Sequence, residues 1–184
     1  FNLSPINGTN GIVPAGTTYT WNAPVMPSGV TGGVSGSGNS IFGTLVNTTT
    51  TPQIVTYTVT PSSGSCAGAN FTITVTVNPS TQLVSQPSTT DDEVCFGDGF
   101  DPISVSATGV GLTYQWFRNT TNSNTGGTAV AGATSATFAV PSTPEGVAYY
   151  YVVVTGTCGT VTSNVSGRYT VFPPVTQFTT NLNQ

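Results

Sequence analysis

The chain has no histidine and no lysine, and the only cations among its 184 residues are Arg118 and Arg168. Each absence removes a class of function. A nucleophilic triad has no histidine or lysine to act as its base. Isopeptide crosslinks that consume a lysine are impossible. Without a basic patch there is no electrostatic footprint for nucleic acid or an anionic lipid surface. The longest apolar run, Val147 to Val154, is far too short to cross a bilayer as a helix. The three cysteines, Cys66, Cys95 and Cys158, form no CxxC pair, so metal-ligand spacing is missing too. A glycosidase pair would have to draw on Glu145 and the acids between Asp91 and Asp101, with no flanking motif. These absences point away from an enzyme.

Negative charge is scarce and unevenly placed. The first charged side chain is Asp91, and every acid except Glu145 falls between Asp91 and Asp101. Solubility therefore rests on the hydroxyls and amides of Thr, Ser, Asn and Gln. Trypsin has only Arg118 and Arg168 to cut at, and with no histidine the fold is expected to be indifferent to pH across neutrality.

What is abundant is β-branched residue, glycine and proline, with no apolar 3.6-residue period longer than a couple of turns. An all-β fold follows. Ile54 to Thr60 and Phe71 to Val77 alternate and bracket a Gly/Cys turn at Cys66. In the second of these, Phe71, Ile73, Val75 and Val77 share one face and the threonines the other, as in a half-buried antiparallel strand. The plan then repeats. Thr18-Tyr19-Thr20-Trp21 returns as Thr113-Tyr114-Gln115-Trp116, followed by Ala148 to Thr155, a turn at Cys158 and another strand. Two antiparallel β-sandwich modules in tandem are expected, residues 1–79 and 80–172. Residues 173–184 are expected to be a linker or the first strand of a following module, because Phe172 to Phe178 resembles Val77 to Leu83, the linker into the second module. That leaves two readings open: a window on a longer tandem array, or a protomer whose tail completes the sandwich of the next by strand addition.

An odd cysteine count suggests a missing partner. Superposing the modules pairs Cys95 with Cys158 as an intramodule disulfide, and Cys66 with a cysteine upstream of Phe1. The alternative for Cys66 is a free, buried thiol. Tyr19, Trp21, Tyr57, Tyr114 and Trp116 are expected in the cores rather than as sugar-stacking platforms. Tyr149 to Tyr151 must place alternate rings on opposite faces, so at least one ring is expected at the surface or an interface. The cluster Asp91, Asp92, Glu93, Asp98 and Asp101 is a candidate Ca²⁺ site at the module junction, and a solvated loop is the simpler account. No other cofactor is implied. Asn47-Thr48-Thr49 and Asn119-Thr120-Thr121 have the form of glycosylation triplets, which a threonine-rich chain also produces by chance.

The order Cys…Tyr-x-Trp…Tyr-x-Val…Cys resembles the immunoglobulin-like and PKD-like modules repeated in very large surface proteins of gliding and other surface-colonising bacteria. Residues 11–21, Val55 to Pro61 and Phe71 to Pro79 look like the PKD-like type, although its WDFGDG signature is absent. Tyr114-Gln115-Trp116 and Tyr149-Tyr150-Tyr151-Val152 look like the immunoglobulin-like type. The resemblance covers nearly the whole chain. It implies an extracellular bacterial cell-surface protein, often exported by the type IX route, with an adhesive or stalk role. The partners it implies are neighbouring repeat modules of the same or an adjacent chain. Surface glycans or other cell-surface proteins would be alternative ligands, through loops 22–40 and 119–134.

Overall fold

A computed structural model describes residues 1–174. The chain is all-β and divides into two compact units, Phe1–Ser80 and Thr81–Gln184. Most of the stretch expected as a linker or following strand, residues 173–184, lies outside the described residues.

The first unit contains β1 (Asn2–Leu3), β2 (Thr18–Trp21), β3 (Val30–Thr31), β4 (Gly36–Gly38), β5 (Ile41–Phe42), β6 (Val46–Asn47), β7 (Gln53–Ser63), β8 (Cys66–Ala67) and β9 (Phe71–Val77). Its main sheet runs β4-β2-β7-β8, with β9 also on β7, and short pairs β1-β5 and β3-β6 complete the unit. Strand β7 shows why the sheet has an inside. Val55, Tyr57 and Val59 are buried, while Ile54, Thr56 and Thr58 between them are exposed. Period-two alternation sends one set of side chains into the core and the other to water. Trp21 of β2 stands opposite Val59. The core gathers Tyr19, Trp21, Val30, Ile41, Val55, Tyr57, Val59 and Val77.

The described part of the second unit contains β10 (Gln82–Ser85), β11 (Asp92–Cys95), β12 (Ile103–Ser104), β13 (Ser106–Thr108), β14 (Thr113–Asn119), β15 (Thr128–Ala129), β16 (Thr137–Phe138), β17 (Gly146–Gly156), β18 (Gly159–Thr162) and β19 (Tyr169–Phe172). Its larger sheet is ordered β11-β19-β17-β14-β15, with β18 on β17, and β10-β13 and β12-β16 pair separately. Trp116 stands opposite Val152. This repeats the Trp21–Val59 pair at the same distance before the hairpin turn, which makes Tyr57 and Tyr150 structural equivalents. An aromatic relay fills the second core. Trp116 stacks on Phe138 at 5.4 Å, Phe138 meets Tyr150, Tyr150 meets Tyr169, and Tyr169 meets Phe100.

Between β18 and β19 the chain leaves the ladder at Asn164-Val165, and two buried serines bridge the gap. Ser163 Oγ accepts the backbone N–H of Val152, and Ser166 Oγ accepts that of Tyr150, both at 2.9 Å. Each hydroxyl also donates to a local carbonyl. Hydroxyls thus take the place of ladder carbonyls, and two buried donors stay satisfied.

Candidate functional site

The cysteines are placed by the hairpins that carry them. Cys158 sits in the turn joining β17 to β18, and Cys95 ends β11 opposite Phe172, beyond the other end of β17. The 11-residue β17 therefore separates them, roughly 33 Å at about 3.3 Å per residue. A disulfide needs α-carbons within about 7 Å. The expected Cys95–Cys158 bridge is thus corrected, because the two positions lie at opposite poles. All three cysteines are free and exposed, so Cys66 is not a buried thiol either. A non-reducing tryptic digest of the freshly isolated monomer should release the fragment 119–168, with Cys158, separate from the one holding Cys66 and Cys95. Co-migration of the two fragments would contradict this geometry.

The acidic cluster does not converge. Asp91 and Glu93 both face Arg168, at 3.6 and 3.4 Å, and Asp91 also accepts the Arg168 backbone N–H. Asp92 lies between them on β11, where alternation sends it the other way, and Asp92 and Asp101 both act on Tyr169 instead. Among the described residues no three acids or cysteines are arranged to hold a metal. The candidate Ca²⁺ set is therefore not assembled in this fold, because a strand cannot turn successive carboxylates to one side. The ion pairs are exposed, and pairs of that kind contribute little to stability.

Tyr19, Trp21, Tyr57 and Trp116 are buried, and Tyr114 is half-buried. Tyr150 faces the core. Tyr151, on the opposite face, is buried as well: its ring stacks on Phe117 at 5.1 Å, and its hydroxyl accepts the Gly127 N–H. The loop after β14 folds over it, so the expected exposed ring is not found; Tyr149 is half-buried. Burial pushes the hydroxyls of Tyr57, Tyr150 and Tyr169 above the ordinary phenol value, against a smaller opposing pull of Arg118 on Tyr150. The folded values lie above the unfolded one, so this contribution to stability is complete below about pH 10 and is lost as pH rises through the folded values. The denaturation midpoint should be flat from about pH 6 to 9 and fall in alkali. A midpoint that moved across neutrality would contradict this.

The Asn-Thr-Thr triplets prove to be loop clamps. Asn47 is buried and makes four hydrogen bonds: its amide donates to Thr51 O and Val77 O, both at 2.8 Å, and its carbonyl accepts from Thr49 N and Oγ1. Asn119 repeats the arrangement with Ser123 O, Thr125 O and Thr121. Sequence reasoning saw the triplets but not this use, which an Asx-turn two residues ahead would have suggested.

The first unit carries a groove of about 460 Å³. Leu3, Ile12, Val13 and Tyr19 line it together with Phe71 and Ile73 of β9. Ile12 is 92% exposed, and the Tyr19 hydroxyl is buried with no hydrogen-bond partner. Nothing at the groove carries a charge. It can hold an apolar side chain and offer backbone groups, but it has no acid or base for chemistry.

Residues 5–81 match the family described as a PKD-like domain. Residues 85–168 match a domain family of unknown function, DUF8696. The first unit is thus similar in sequence to PKD-like domains. No curated protein matches the chain in sequence. Among solved structures, the tandem Ig repeats of Dlar are 16% identical, with 85% of this chain and 82% of that one covered at a TM-score of 0.37. The first two Ig domains of DIP-gamma are 10% identical, with 85% and 83% covered at 0.40. The N-terminal four Ig domains of Dscam1 isoform 4.44 are 14% identical, with 85% and 37% covered at 0.42. With scores this low, the class rests on strand order and on the PKD-like match. Among the described residues no helix is long and apolar enough to cross a membrane.

Proposed function

We propose that the chain is a structural repeat segment of a long extracellular bacterial surface adhesin or filament, acting mechanically as a stalk. The observation that carries this reading is the duplication. Two sandwiches, each closed around its own tryptophan, follow one another with only residues 78–81 between β9 and β10. The PKD-like match of the first unit and the absence of any positioned acid–base group support it. A surface with almost no cleavable cation suits life outside the cell. Export by the type IX route and a part in gliding motility belong to the same reading, on the strength of the sequence resemblance. The partners are neighbouring modules of the same or an adjacent chain. Binding of glycans or cell-surface proteins through loops 22–40 and 119–134 has less support, since Asn119 and Tyr151 tie the second loop to its own sheet.

Stretching the chain between its ends in a single-molecule force experiment tests the proposal. Two discrete unfolding events are expected, each lengthening the chain by roughly 25 nm, since about 80–90 residues extend at about 3.5 Å each, less the folded length. Smooth extension without discrete events would overturn the mechanical reading.

A further inference from the structure

The groove of the first unit has a counterpart in the second, and there it is filled. In the second unit β10 runs beside β18, and its Leu83 packs on the core together with Leu112, Tyr114 and Val161. Its neighbour Gln86 accepts the backbone N–H of Asn164 at 2.8 Å. In the first unit the residues at these places are Tyr19 for Tyr114 and Thr72 for Asn164, since Phe71 pairs with Val59 where Ser163 bonds Val152. Tyr19 and Thr72 both line the groove. Leu3 of β1 and Tyr19 of β2 border it, but among the described residues no strand holds the place of β10 against residues 11–13, the counterparts of β13. The unpartnered Tyr19 hydroxyl lies at the same place.

The chain carries a second segment of the β10 type. Thr81-Gln82-Leu83-Val84-Ser85-Gln86 is matched by Thr176-Gln177-Phe178-Thr179-Thr180-Asn181, outside the described residues. An apolar residue, a β-branched residue, a hydroxyl and a terminal amide recur in order. We infer that the groove lined by Leu3, Ile12, Tyr19 and Phe71 is an acceptor for the Thr176–Asn181 segment of a second copy of this chain, joining copies by strand addition. Phe178 then takes the place of Leu83 in the groove, and the Asn181 amide accepts the outward N–H of Thr72, as Gln86 does for Asn164. Main-chain pairing with residues 11–13, the counterparts of the β13 strand on which β10 pairs, supplies the affinity, and the Phe178 pocket supplies the register. The inference goes beyond the stalk reading and does not depend on the force experiment.

Sedimentation of the intact chain over a range of concentrations tests it. Reversible association is expected, weakened tenfold or more by Phe178→Asp and also by Ile12→Asp. Ile12 is exposed, so its substitution touches no core, and unchanged circular dichroism would verify that both variants keep the fold. A labelled peptide of residues 175–184 should bind the Phe178→Asp chain saturably and lose that binding when Ile12→Asp is added. Three results would each overturn the proposal: association that both variants leave unchanged, a peptide that fails to bind, or a peptide of residues 81–86 that binds where the tail peptide does not.

Discussion

Trp116→Ala will remove much of the stability of the second unit and leave that of the first unchanged. The ring is fully buried, stacks on Phe138 and anchors its indole N–H on Ser135 O at 2.9 Å. Truncating a buried tryptophan costs about 3–5 kcal/mol, from lost burial and the cavity left behind. A module of this size has only about 5–10 kcal/mol in total. The Ser135 carbonyl also loses its donor. Each unit has one tryptophan, so the variant leaves Trp21 as the sole indole reporter, on the first unit alone. Fluorescence-monitored denaturation should show an unshifted transition for the first unit, while circular dichroism shows the transition of the second unit moved to much lower denaturant. Trp116→Phe should cost less, yet more than Trp21→Phe, because the Trp21 N–H has no partner to lose. Equal losses from the two phenylalanine variants would show that the indole hydrogen bond contributes nothing measurable.

The second large effect is expected at Asn47. Alanine there removes four hydrogen bonds and strands the carbonyl of Val77 at the end of β9, with a cost of about 2–4 kcal/mol to the first unit. Aspartate should be worse at neutral pH despite its shape. A carboxylate cannot donate to Thr51 O and Val77 O, and it would be the first buried charge in a unit whose side chains carry none. Burial would raise its folded pKa above the unfolded value. The charge penalty would therefore be complete above the folded value, fade as pH falls from there, and be gone below the unfolded value of about 4. Urea midpoints at pH 7 and pH 4 would show it: an Asn47→Asp chain no less stable than Asn47→Ala at pH 7 would remove the argument. The matching Asn119→Ala should cost less, since that clamp is more open to water.

Local pattern made much of this protein legible. The alternation in Val55-Thr56-Tyr57-Thr58-Val59 and in Phe71 to Val77 dictates strands with a buried and a wet face, because side-chain direction along a strand has a period of two whatever it pairs with. The repeated Tyr-x-Trp marked two sandwiches, and the absence of histidine and lysine ruled out whole classes of chemistry. What the sequence could not show was anything that depends on which strand lies beside which. Equivalent turns suggested a Cys95–Cys158 bridge, but β11 pairs in parallel with β19 and so ends at the far pole from the β17–β18 turn. The five acids looked clustered along the chain, and the pleat with its Arg168 partner parts them. Tyr151 had to leave the core face, yet the loop over it buried the ring. The groove beside β9 exists only because one unit fills a position that the other leaves open. Residue spacing acts over a few bonds and determined the strands and their faces. The distances between poles, loops and edges are set by strand pairing, and only the tertiary structure decides that.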